Sequence, residues 1–205
     1  NNDACYPSIL VVGQMIKALK SGDYDPDYVA CLITQTGGGC RATNYVGFLR
    51  KALKEAGFGQ VPVVPLSVQQ FEQHPGMDIS IKDLSGALKS ILYGDLLMRV
   101  LYRVRPYEAI KGSANALHES LSLEVIEELK NPSMKSFKQM IRKIVRSFDI
   151  LETKDVKKPK VGLVGEILVK YHPTANNNVV NVIEENGCEA VMPDLTDFLL
   201  YCAHN

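Results

Sequence analysis

Apolar positions recur at helical spacing through PSILVVGQMIKALK (residues 7 to 20), which starts with a proline suited to a first helical turn and stops at Ser21-Gly22. Cys5 falls just ahead of this helix. DYVACLITQ (27 to 35) is a short apolar run bounded by turn signals, the pattern of a buried strand, and Cys31 inside it reads as a core residue. Residues 44 to 56 carry Tyr45, Phe48, Leu49, Ala52 and Leu53 at helical spacing and close at Gly57, and residues 61 to 66 form a second strand. Strand, glycine-rich turn, helix and strand make one βαβ unit with parallel strands.

From residue 81 to 147 the period is helical, in segments punctuated by Pro106, Gly112 and Asn131-Pro132. The α/β pattern then returns. VGLVGEI (161 to 167) predicts a strand, 176 to 185 a helix ending at Gly187, EAVMPD (189 to 194) a strand, and 195 to 201 the start of another helix. The predicted fold is therefore α/β: a Rossmann-like parallel sheet with helices on both faces and a helical insertion. Residues 1-80 form the first part of the core, 81-155 the insertion and 156-205 the second part of the core.

Composition supports a packed protein. Of 205 residues, 46% are hydrophobic and 22% charged, enough to bury a core. The 23 basic and 23 acidic side chains balance to zero, so no global attraction to nucleic acid or an anionic membrane is expected. No apolar run approaches the roughly 20 residues of a membrane span, and the start lacks a signal-peptide pattern. A soluble, cytoplasmic protein is expected. The first residue is Asn1, which suggests a piece of a longer protein or a processed form.

Charge is unevenly distributed. Residues 130 to 160 hold ten Lys or Arg against Asp149, Glu152 and Asp155. Met134, Phe137, Ile141, Ile144, Val145 and Phe148 define an apolar face opposite the cations. Such a stretch serves either as a docking surface for an acidic partner or for ligand phosphates, or as a solvated helix face followed by a charged connector.

The chemistry concentrates in TGGGCRATNY (36 to 45). Gly37, Gly38 and Gly39 allow positive φ and close approach to the main chain. At the carboxyl end of a parallel strand such a loop faces the crevice where α/β proteins bind ligands. The helix that follows presents free N–H groups and partial positive charge, which stabilise a thiolate at Cys40, and Arg41 adds a fixed cation. Cys5, ahead of Pro7, stands in the same relation to the first helix. The five cysteines, Cys5, Cys31, Cys40, Cys188 and Cys202, are odd in number and too scattered for a disulfide framework. Two thiolates at helix N-termini suit an iron–sulfur cluster, whose sulfur atoms accept N–H donors.

Other chemistries fit less well. No Gly-Lys-Ser/Thr follows the glycines, so the loop is not a P-loop, and G-x-G-x-x-G is absent there. Zinc lacks a C-x-x-C or H-x-x-x-H spacing. A Cys–His pair could draw on His74, His118, His172 or His204, though nothing local couples one to Cys40. A purely structural glycine turn stays open beside the cluster reading. In GEILVKYHPTANN (165 to 177), Glu166, His172, Thr174 and Asn176 are candidates to reach the same crevice and contact a cofactor or substrate. The alternative is a loop in which Thr174 or Asn176 caps a helix.

Four segments, NNDACYP at the start, TQTGGGCRATNY at 34 to 45, VPVVPLS at 61 to 67 and VGLVGEILVKYHPTANN at 161 to 177, together resemble the 2-hydroxyacyl-CoA (2-hydroxyglutaryl-CoA) dehydratase D-component superfamily. The likeness is closest to the branch found in CoA-substrate-specific enzyme activase proteins of anaerobes, and it is weakest across the helical middle. The resemblance implies Rossmann-like subdomains holding a [4Fe–4S] or double-cubane cluster, with electrons supplied by an ATP-hydrolysing activator in the same or another chain. It places Cys5 and Cys40 as cluster ligands. The family uses a third cysteine, for which Cys188 and Cys202 are candidates, neither within a matched motif. The resemblance further implies a CoA-thioester or small-molecule substrate. No ATPase signature occurs in these residues.

Overall fold

The computed structural model describes residues 5–35, 44–67 and 80–204. The chain divides into two compact units, Asn1–Asp78 and Ile79–Asn205. The second therefore holds both the helical middle and the second α/β segment. The fold is mixed α/β and predominantly helical.

In the first unit, α1 (Tyr6–Lys20) is followed by β1 (Cys31–Gln35), α2 (Tyr45–Glu55) and β2 (Val63–Ser67). β1 and β2 pair in parallel, Cys31 opposite Val63 and Gln35 opposite Ser67. α2 packs on α1 and on both strands. Leu19, Cys31, Ile33, Val46, Leu49, Leu53, Val61 and Val63 form the core. Two expectations are corrected. The strand predicted from residue 27 begins only at Cys31, because Asp25 and Asp27 form a local turn in which the Asp27 N–H donates to the Asp25 carboxylate. Phe48, expected in the core face of α2, is 43% exposed, and Val46 is buried in its place.

The second unit starts with a bundle of α3 (Ile81–Val104), α4 (Ser113–Lys130) and α5 (Met134–Asp149), with a 3-10 turn at Arg105–Tyr107 between the first two. Tyr93, Leu97 and Leu101, one face of α3 at intervals of four, meet Leu121 and Val125 of α4 and Phe137, Ile144 and Phe148 of α5. The opposite side of α3 supplies Met98 and Tyr102 to a smaller core of Val180, Ala190 and Met192. That core belongs to β3 (Lys160–Gly162), α6 (Ile167–Tyr171), α7 (Val179–Glu185) and β4 (Glu189–Val191), and α8 (Leu195–His204) ends the unit. β3 and β4 pair in parallel, Lys160 opposite Glu189.

The strand predicted at 161 to 167 is shorter than expected. Its last residue, Ile167, instead begins α6, whose first turn is held by the Glu166 carboxylate accepting from the Val169 N–H at 2.9 Å. The described strands make two separate two-stranded parallel sheets, β1–β2 and β3–β4.

Both pairs share one device. After α2, the Phe58 N–H donates to the Leu53 carbonyl and Gly57 N–H to Lys54, with Gly57 at φ +87°. After α7, the Cys188 N–H donates to Ile183 and Gly187 N–H to Glu184, with Gly187 at φ +78°. Each glycine takes the left-handed conformation that closes a helix and turns the chain into the next strand.

Candidate functional site

Cys5 is the N-cap of α1, in extended conformation at φ −62° and ψ 125°. Its carbonyl accepts from the Ser8 N–H at 2.9 Å, the Ile9 N–H at 3.3 Å and the buried Ser8 hydroxyl at 2.7 Å, which fixes the backbone entering the helix. Its side chain makes no capping bond to that helix. The sulfur instead lies 3.6 Å from the hydroxyl of Tyr45, the first residue of α2. A side chain from the first turn of α2 thus reaches the thiol at the start of α1. Neither helix has an acidic residue in its first turn, so the partial positive charge at both ends is not offset locally.

Sequence reasoning treated Tyr45 only as an apolar helical position. No signal in the sequence pairs it with Cys5, 40 residues away. Gly37, Gly38, Gly39, Cys40 and Arg41 lie outside the described residues.

The other thiols divide between the units. Cys31 is buried in the β1–β2 core, where burial pushes its thiol above the ordinary range, as suits a packing residue. Cys188 is half-buried in the second unit, its sulfur 3.8 Å from the Asn186 carbonyl. Cys202 lies in α8, and its side chain is outside the described residues. Among the described residues, no group of three or more His, Cys, Asp or Glu converges on a common point.

Glu166, His172 and Asn176 form one local structure around α6. Glu166 caps its start. At its end the Asn176 amide donates to the carbonyls of Val169 and Lys170 at 3.1 and 2.9 Å, while its oxygen accepts from the Val179 N–H at 3.2 Å. One side chain thereby joins the end of α6 to the start of α7. His172 accepts from the Ala175 N–H at 3.3 Å through Nδ1. This arrangement matches the helix-capping alternative for Asn176.

His118 is half-buried on α4, its pKa pushed below the ordinary value by burial and by the Arg105 cation. No helix among the described residues is long and apolar enough to cross a membrane. No protein-family model, curated protein or solved structure matches the chain.

Proposed function

We propose that the chain is an iron–sulfur cluster-binding electron-transfer or reductase domain of a 2-hydroxyacyl-CoA dehydratase-like activase protein, with Cys5 and Cys40 as ligands. The observation that carries this reading is the meeting of Cys5 at the α1 N-cap with the start of α2, the helix that follows the Cys40 loop in sequence. The donor chemistry fits such a group: a thiol, two helix ends without first-turn carboxylates and a phenol able to donate to sulfur.

A [4Fe–4S] or double-cubane cluster supplies one-electron transfer at low potential when bound. The chain's own contribution is to hold Cys5 at a fixed helix entry with the Tyr45 hydroxyl beside its sulfur. A third ligand would come from a residue outside the two matched cysteine motifs. An ATP-hydrolysing activator would supply the electrons, and a CoA thioester or small molecule would receive them. This reading implies a Rossmann-like fold, and it assigns the protein to the cytoplasm.

A second reading, a scaffold that keeps the fold without a cluster, draws on Glu166, His172 and Asn176, whose polar atoms make helix-ending contacts with the backbone. Anaerobic reconstitution with iron and sulfide separates the two. Bound iron and EPR spectra are recorded for the wild type, Cys5→Ala and Cys40→Ala. Cluster uptake by the wild type, lost in both variants, supports the first reading. Equal iron in all three supports the scaffold.

A further inference from the structure

We infer that the outer face of α5 is a docking surface for an acidic helix of a partner protein. Lys135, Lys138, Arg142 and Arg146 are all exposed. At 3.6 residues per turn they fall within an arc of about 80° and extend over roughly 16 Å of helix axis, a single row of cations. The other cations of the same stretch that lie near carboxylates are paired: Lys130 with Glu127, Lys143 with Glu124 and Lys160 with Glu189. Carboxylates elsewhere in the unit are engaged by arginines of α3 and the 3-10 turn, Asp194 by Arg99 and Glu184 by Arg105. Among the described residues no carboxylate comes within ion-pair distance of the four cations in the row. Asp149 ends the row at the helix C-terminus.

Two further features argue against a face that merely meets water. Met134 is 60% and Ile150 84% exposed, and with Val145 they border the cations with apolar surface. The open surface beside Arg142 and Arg146 takes in Gln139, Ser147 and Ile150 as well as Lys143 and Asp149, all on α5 or directly after it. Cations edged by apolar side chains match a protein surface better than a phosphate backbone, which offers no partner for Met134 or Ile150. A membrane surface is disfavoured because the apolar face that would enter it, Phe137, Ile144 and Phe148, is already packed into the bundle. The row is complementary to a second helix carrying carboxylates at i, i+3, i+7 and i+11, since both rows then share one rise per residue.

The test uses the full chain and three probes: an Ala-rich peptide of about 18 residues with glutamates in that row, a peptide of identical composition with the glutamates spread around the helix, and inorganic polyphosphate. Binding is measured by fluorescence anisotropy at about 50 mM salt, where surface charge is weakly screened. The row peptide is expected to bind about tenfold more tightly than the scrambled one, and Arg142→Glu/Arg146→Glu is expected to abolish that advantage. Lys157→Glu/Lys158→Glu, in the connector, should leave binding within about twofold. Arg142→Gln/Arg146→Gln serves if circular dichroism shows that the charge reversal disturbs the helix. Equal binding of the two peptides, tighter binding of polyphosphate than of the row peptide, or an equal loss in the connector variant would each overturn the proposal.

Discussion

In the first unit, Leu49 and Leu53 of α2 are almost wholly removed from solvent against β1, β2 and α1, and aliphatic contact provides most of what holds these elements together. In the second unit, charged and polar side chains cross between elements far apart in sequence. Arg105 makes a two-pronged pair with Glu184 at 2.7 and 2.9 Å and also donates to Asn115. Tyr93 and Ser136 both donate to Glu128, joining α3, α4 and α5. Buried Asp95 of α3 accepts from the N–H groups of Leu195 and Thr196, so it caps α8 from another helix. Tyr107 donates to the buried Glu189 of β4. The difference teaches where polar side chains serve the architecture. Polar chemistry in the second unit is largely committed to architecture, whereas the Cys5–Tyr45 contact of the first unit satisfies no backbone group at either helix end.

The largest expected effect is at Arg105. The Arg105 and Glu184 side chains are only 16% and 13% exposed, so Arg105→Ala strands a carboxylate and should cost about 3 kcal/mol. Hydrogen-exchange mass spectrometry on the full chain should show protection lost across α3, α7 and β4 while α2 and β1 keep theirs. Equal loss in both units would break the comparison.

Leu49→Ala should produce the converse at similar or slightly smaller cost, about 3 kcal/mol for a fully buried leucine, with protection lost in α2, β1 and β2. A cost below about 1 kcal/mol would mean that the core can collapse around the missing side chain.

Smaller effects sharpen the picture. Ser133 and Ser136 form a reciprocal cap at the start of α5, with the Ser136 N–H donating to Ser133 at 2.9 Å, so Ser133→Ala should cost about 1 kcal/mol by urea unfolding. The smallest signal lies at high pH. Burial, followed by the carboxylates of Asp95, Asp194 and Asp197, pushes the Tyr171 phenol up to about 12, and this phenol donates to the Pro193 carbonyl. The folded form thus holds its proton more tightly than the unfolded form. Its contribution is full below pH about 10 and is lost as pH rises toward 12. Ultraviolet titration should show a late phenolate phase, to which Tyr93, Tyr102 and Tyr107 also contribute, and Tyr171→Phe should reduce it by one phenol.

Much of the helical architecture was legible in the sequence because local signals agree with packing. In α5 the apolar period and the run of cations define one amphipathic helix, and Phe137, Ile144 and Phe148 are buried as that period requires. Both parallel strand pairs also follow from short apolar runs separated by helices. Strand limits were harder. Residues 161 to 167 look uniformly extended, yet Glu166 has a carboxylate able to start a helix at Ile167, and a three-residue strand remains. Phe48 misled because one turn of helix offers either Tyr45 or Val46 to the core, and the choice depends on a strand not adjacent in sequence. The pairs Arg105–Glu184 and Asp95–Thr196 are separated by 79 and 101 residues and leave no periodic trace.

At the candidate site, Cys5 as a helix-entry residue could be read from Pro7 alone. Its neighbour Tyr45 could not, since only the packing of α1 on α2 brings positions 40 residues apart into contact.

The burial of Cys31 gives the first unit an internal reporter. At 9% exposure, with its thiol pushed up by burial, Cys31 is shielded from alkylating reagents while β1 stays paired with β2. The rate at which it becomes labelled in a denaturant series therefore clocks the opening of that sheet, and half-exposed Cys188 in the second unit provides the fast reference on the same molecule.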